Sequence, residues 1–192
     1  MDDYCVYRLK VTLKGIRPPI WRRLAVPGEI SLRRLHQTLQ TAFGWQDYHL
    51  HEFIIDGTVY GLPDREAEMM GFRKVRDDRR VKLKAVVSVR DKFLYRYDLG
   101  DNWEHEIQVE DIELGQKQER PVCLGGRRAA PPEDCGGLSG YTDLLDALGD
   151  PEHPEHESYV EWLGGVFDPE AFDLAAVNQR LAEIRVAPRS SR

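Results

Sequence analysis

Apolar and polar positions alternate from residue 4 to residue 14, with Cys5, Tyr7, Leu9, Val11 and Leu13 on one side and Arg8, Lys10, Thr12 and Lys14 on the other. That period of two predicts a half-buried strand. Gly15 and the Pro18-Pro19 pair break it, and residues 20–26 (I-W-R-R-L-A-V) read as a partner strand that ends at Pro27-Gly28. Alternation returns at residues 49–55, where His49, His51, Phe53 and Ile55 share a face, and Asp56-Gly57 signals a tight hairpin into residues 58–60. A second hairpin is predicted from residues 93–99 and 103–112, turning at Gly100, Asp101 and Asn102. Its rim gathers Asp98, Asp101, Glu104, His105 and Glu106.

The helical period appears at Leu32, Leu35, Leu39, Ala42 and Phe43, between Ser31 as cap and Gly44 as stop, and predicts a helix over residues 32–43. Three further helices are expected late in the chain. Ser139 is placed as the cap of one carrying Tyr141, Leu144, Leu145 and Leu148; a short one runs through Tyr159, Trp162 and Leu163 to Gly164-Gly165; the last carries Leu174, Val177, Leu181 and Ile184 behind Asp173. Residues 63–80 read as a long loop with room for one helical turn, and residues 81–89 suit strand and helix equally. Residues 121–140 are so rich in Gly and Pro that no regular structure is expected there. Strands early and helices late predict an α+β domain, with an antiparallel sheet built from hairpins in the first two thirds of the chain and helices packed on it. One domain over residues 1–188 and a disordered tail at 189–192 are expected from the length of 192 residues.

Composition changes this picture little: 41% hydrophobic and 31% charged residues are ordinary for a globular protein, and no apolar run approaches the roughly 20 residues of a membrane helix. The N-terminus lacks signal-peptide character, so a cytoplasmic location is expected, with Cys5, Cys123 and Cys135 as free thiols. Charge is more informative. Residues 1–100 carry 19 Lys and Arg against 13 Asp and Glu, whereas residues 101–192 carry 8 against 20. Residues 73–84 (R-K-V-R-D-D-R-R-V-K-L-K) concentrate base, so Arg73, Lys74, Arg76, Arg79 and Arg80 are candidates for phosphate contact. The same run reads as a solvated loop, since no aromatic side chains interleave it for base stacking.

Two histidines at alternate strand positions can bind one ion, so His49, His51 and His105 form a candidate metal site completed or oriented by Asp98 or Asp101. Against it stands the plainer expectation that His49 and His51 are core-edge groups bonded to backbone. Cys123, Cys135, His153 and His156 offer a second set of metal ligands, and burial of the thiols as small hydrophobes competes with it. Glu133 and Asp134 in P-P-E-D-C-G-G are expected to pair with Arg22 or Arg23, latching the long loop to the fold. Trp21, Trp45, Trp103 and Trp162 read as core. No complete catalytic constellation assembles from spacing, so the leading expectation is a binding module. Its recognition groove is the hairpin plus the Gly-Pro loop, through Tyr97, Asp98, Asp101, Trp103, His105, Glu133 and Asp134, with a protein or nucleic-acid partner and no membrane. The alternative is a metal-dependent hydrolase or nuclease, for which a divalent metal is the one candidate cofactor.

Taken together, I-R-P-P-I-W-R-R-L, F-G-W-Q-D-Y-H-L-H-E-F, Y-D-L-G-D-N-W-E-H, P-P-E-D-C-G-G-L-S-G-Y and W-L-G-G-V-F-D-P-E-A-F-D resemble the plasmid pRiA4b Orf-three-like family from about residue 4 to residue 184. The resemblance implies an α+β domain of unestablished activity associated with plasmids and insertion elements, some members being labelled transposon passenger proteins with a resolvase-like name. Serine-recombinase chemistry is not expected, because the first serine of the chain is Ser31, already assigned to a helix cap.

Overall fold

The computed structural model describes residues 4–71 and 73–186. An eight-stranded sheet organises them: β1 (Cys5–Leu13), β2 (Trp21–Pro27), β3 (His51–Ile55), β4 (Thr58–Gly61), β5 (Arg76–Asp77), β6 (Lys92–Tyr97), β7 (Trp103–Leu114) and β8 (Val122–Arg127), in the order β5-β4-β3-β6-β7-β1-β2-β8. Every pairing is antiparallel except β4 with β5. Helices α1 (Leu32–Phe43), α2 (Arg65–Met69), α3 (Gly137–Gly149), α4 (His156–Leu163) and α5 (Leu174–Leu181) complete an α+β fold in which helices lie mostly toward the C-terminus.

The reason α1 forms is local. Ser31 is extended and its Oγ accepts from the Arg34 amide at 3.3 Å, while Gly44 takes the left-handed conformation (φ 86°) and its amide closes the last turn onto the Gln40 carbonyl at 2.8 Å. The stripe of Leu32, Leu35, Leu39 and Phe43 is buried in one cluster with Leu9, Val11, Leu13, Phe53, Tyr95, Ile107 and Val109 from the sheet. Burying each such side chain contributes about 1.5–3 kcal/mol, so this stripe fixes α1 against the sheet. The Asp56-Gly57 turn has positive φ at both residues (46° and 71°), the requirement of the type I′ hairpin.

Several expectations are corrected. The Gly-Pro stretch contains a strand, β8, which pairs with β2 through a bulge between Arg23 and Leu24; its Gly126 sits where Arg22 and Phe172 crowd the backbone. α3 begins at Gly137 behind Gly136, not behind Ser139, which lies inside the helix. Gly137 (φ 68°) is packed so closely on the Asp101 carbonyl that an added Cβ would lie 2.6 Å from it, so tertiary contact sets the helix start. The ambiguous residues 81–89 form a short 3-10 helix, Leu83–Ala85, and residues 63–80 hold α2 and β5. Trp45 and Trp103 are core, as expected, but Trp21 is half-buried under the Arg23 guanidinium and Trp162 is 48% exposed. The tail expected to be disordered lies outside the described residues.

Candidate functional site

The central hairpin turns through residues 99–102, as expected, but the left-handed conformations fall at Asp98 (φ 54°) and Asn102 (φ 57°) and not at Gly100, and the Asn102 amide bonds the Asp98 carbonyl at 2.6 Å. Asp98 closes the turn with one carboxylate oxygen: Oδ1 accepts from the Gly100 amide at 2.9 Å and the Asp101 amide at 3.3 Å. Its other oxygen faces the segment between α1 and β3, whose Leu50 carbonyl accepts the Asp98 amide at 2.9 Å. There Oδ2 lies 3.5 Å from His49 Nε2.

The Gly-Pro loop folds over this turn. Tyr97 donates its hydroxyl to Glu133 at 3.0 Å and 3.2 Å, the Gln46 amide donates to Glu133 at 2.8 Å, and the Tyr48 amide donates to the Tyr97 oxygen at 3.1 Å. Trp45 Nε1 donates to the Pro131 carbonyl at 2.9 Å, the Gly136 amide donates to Asp101 at 3.1 Å, and His49 Nε2 meets Asp134 Oδ1 at 2.7 Å. Burial raises the Tyr97 hydroxyl's pKa, and the adjacent Glu133 raises it further, so it stays a donor. Burial opposes protonation of His49, but Asp134, Asp98 and Glu133 outweigh it and raise its pKa. The expected latch therefore exists with different partners: among the described residues, Arg22 and Arg23 make their hydrogen bonds and ion pairs elsewhere.

Arg22 is 3% exposed and spends its guanidinium on four carbonyls, Ala42 (2.9 Å), Trp21 (2.8 Å), Arg127 (3.0 Å) and Arg128 (2.8 Å), between the rings of Phe43 and Phe172. Burial lowers its pKa to about 10. Arg23 instead makes a two-pronged pair with Glu110 at 2.7 Å and 2.9 Å.

The metal triad read from the sequence separates. His49 lies ahead of β3 with Asp98 and Asp134, and these three present donor atoms within 4.8 Å of one another. His51 points into the core with His36, a residue that the sequence reading missed because it sits in the apolar stripe of α1. Their rings stack at 3.5 Å and 7° between two carboxylates, His36 Nε2 on Asp47 at 2.7 Å and His51 Nε2 on Asp78 at 2.8 Å. Tyr95 and Gln40 close the network, the Tyr95 hydroxyl meeting His36 Nδ1 at 2.8 Å and Gln40 Nε2 at 3.0 Å. His36, Asp47 and His51 also bring donor atoms within 4.8 Å of one another. Imidazole lone pairs lie in the ring plane, so two rings stacked face to face cannot both direct one at a common ion. The stack is a hydrogen-bonded core element. His105 joins neither group: it is fully buried, edge-on to Phe43 and Trp45, with Nδ1 on the Trp103 carbonyl at 3.1 Å. Burial pushes its pKa down to about 3 and that of His36 down to about 4.

The second metal set also dissolves. Cys123 Sγ bonds the Gly125 carbonyl, Cys135 is buried with its pKa raised to about 12 by burial, and His156 Nδ1 bonds the Ala147 carbonyl. In the basic run, Arg73 pairs with Glu52, Lys74 with Glu68 at 3.1 Å and Arg79 with Asp77 at 2.6 Å; Arg76 and Arg80 are exposed without an ion pair among the described residues.

Three apolar side chains stay exposed along these segments: Tyr48 (66% exposed) and Leu50 (55%), on either side of His49 in the chain, and Leu99 (47%), next to Asp98 in the hairpin turn. A separate cleft of about 580 Å³ lies between α1 and the end of α5, lined by Arg34, Thr41, Trp45, Arg180 and Glu183 among others.

The model of the plasmid pRiA4b ORF-3-like protein family matches residues 5–176. The chain belongs to that family. The uncharacterized protein y4hQ of Sinorhizobium fredii (strain NBRC 101917 / NGR234) is 40% identical over 182 residues, covering 93% of this chain and 92% of its own. The fold is similar to the crystal structure of a protein of unknown function, MM3350 from Methanosarcina mazei Go1, with a TM-score of 0.79 at 39% identity over 90% of this chain and 97% of that one. The family thus supplies kinship and a plasmid association, and the chemistry has to come from the site. Among the described residues no helix is long and apolar enough to cross a membrane.

Proposed function

We propose that this member of the plasmid pRiA4b ORF-3-like family is a recognition module, and that the surface built by the hairpin turn and the Gly-Pro loop takes a basic, apolar-flanked polypeptide segment. The observation that carries this reading is the clamp: five side-chain hydrogen bonds through Trp45, Tyr97, Asp101, Glu133 and Asp134 hold the loop in one place. A prepaid ordering cost is what a binding surface requires. Tyr48, Leu50 and Leu99 remain exposed around it, and large exposed apolar side chains beside a rigid polar centre suit a protein partner. Asp98, Asp101, Glu133 and Asp134 repel phosphates and attract Lys or Arg, while three of the five candidate phosphate-binding bases are already paired with carboxylates.

Chemical-shift mapping with a library of Lys/Arg-Leu octapeptides and, in parallel, a duplex oligonucleotide tests the reading. Peptides are expected to perturb Tyr48, Leu50 and Leu99, and Leu99→Glu to weaken them at least tenfold. Absence of any peptide binding, or oligonucleotide binding that falls steeply with salt, would overturn it. A second reading, a metal-dependent hydrolase or nuclease in which an ion activates water, is favoured by the convergence of His49, Asp98 and Asp134. Adding bis(p-nitrophenyl) phosphate and Mn²⁺ to the same samples tests it: hydrolysis lost in Asp98→Asn supports it, and no hydrolysis removes it.

A further inference from the structure

We infer that His49 Nε2, Asp98 Oδ2 and Asp134 Oδ1 form a binding site for one divalent transition cation, zinc or manganese, that staples the Gly-Pro loop to the hairpin. The three donors come from three separate segments, the connection before β3, the β6–β7 turn and the loop before α3. An ion at their centre ties all three together. In a tetrahedral site with bonds of about 2.0–2.1 Å, neighbouring ligand atoms are separated by roughly 3.3 Å. The His49–Asp98 separation of 3.5 Å is already at that spacing. The His49–Asp134 separation of 2.7 Å is a hydrogen bond, and the side chain of Asp134, 62% exposed, can retreat by the fraction of an ångström that an ion needs.

Asp98 points independently to a ligand. It is 7% exposed, and while Oδ1 takes two backbone amides, Oδ2 receives no hydrogen bond among the described residues beyond its 3.5 Å approach to His49. Oδ2 keeps contact with solvent, and a cation arriving from there can take its free lone pairs. The amides of Gly100 and Asp101 on Oδ1 are the kind of outer support that orients a ligating carboxylate. One imidazole and two carboxylates suit zinc and manganese, and three protein donors leave at least one coordination position for water or another ligand. The ion itself stands on these donors alone. Its effect on a partner rests on the recognition reading: Lys or Arg and the metal compete for the same carboxylates, so metal loading displaces a basic segment.

Untagged full-length protein, stripped with chelator, is titrated calorimetrically with Zn²⁺ and with Mn²⁺, and the peptide titration is repeated with and without the metal. One equivalent is expected to bind, to raise the melting temperature, and to weaken at least tenfold in His49→Ala, Asp98→Asn and Asp134→Asn, while His153→Ala binds as the parent does. Asp134→Asn is the decisive variant, since an exposed side chain can be changed without unfolding the chain. Failure of both metals to bind, or unchanged binding in Asp134→Asn and His49→Ala, overturns the site. Metal binding without peptide binding leaves the site intact and removes the recognition reading, and peptide binding without metal binding does the reverse.

Discussion

Arg22 shows how one residue can be read correctly as important and wrongly in its role. Its charge is buried with no carboxylate paired to it among the described residues, and four main-chain carbonyls from α1, β2 and the end of β8 solvate it instead. The planar fork matters more than the charge, because a lysine ammonium cannot reach carbonyls spread over that plane. Arg22→Lys is therefore expected to destabilise the fold by on the order of 3 kcal/mol, read as a lower urea midpoint at unchanged slope. An unchanged midpoint would mean that the carbonyls are solvated some other way. His51 and Asp98 teach a similar lesson. Residue type marked each as chemically interesting, but which partner each meets depends on segments far away in the chain.

Edge strands need protection from pairing with other chains, and the edge at β8 has an unusual form of it. The amide of Cys123 donates to Asn178 Oδ1 at 2.8 Å, and Asn178 Nδ2 donates to the Cys123 carbonyl at 2.9 Å, so one side chain of α5 imitates a neighbouring strand. This contact holds α5 on the sheet edge together with the buried Val177 and Leu181. Asn178→Ala removes both bonds, and a loss of about 2 kcal/mol is expected together with faster amide exchange at Cys123. Protection at Cys123 equal to the parent's would show that α5 is held by packing alone. The same element scale explains why β8 escaped the sequence reading: V-C-L-G-G-R looks like loop because glycine disfavours strands in general, whereas at Gly126 Arg22 and Phe172 occupy the space that a side chain would need.

At the scale of the whole molecule, acid is expected to act through two buried neutral histidines. An unfolded histidine titrates near 6.5, whereas burial holds His36 at about 4 and His105 at about 3. Between those values the unfolded chain takes up protons that the folded chain refuses, so stability falls as pH drops from about 6.5 to 3–4, by about 1.4 kcal/mol per pH unit for each group. Denaturant midpoints measured from pH 7 to pH 4 should decline accordingly, and His105→Phe, which keeps the site aromatic, should show a shallower decline. A flat profile in the parent would mean that both rings protonate in place.

The alternating and helical periods, read one segment at a time, determined most of the strands, α1, α5 and the α+β class, because hydrophobic burial acts on a local repeat that the chain displays wherever it is read. The caps at Ser31 and Asp173 were equally legible, since a cap bonds amides only three residues away. The tertiary structure alone decided the rest: the strand inside the Gly-Pro stretch, the start of α3 against Asp101, the solvation of Arg22, and the division of the histidines into a stacked core pair and a surface group. His49 and Asp134 are 85 positions apart in sequence and 2.7 Å apart in space. No periodicity encodes such a meeting, because it results from how the sheet, α1 and the loop close on one another, and the candidate site lies where they do.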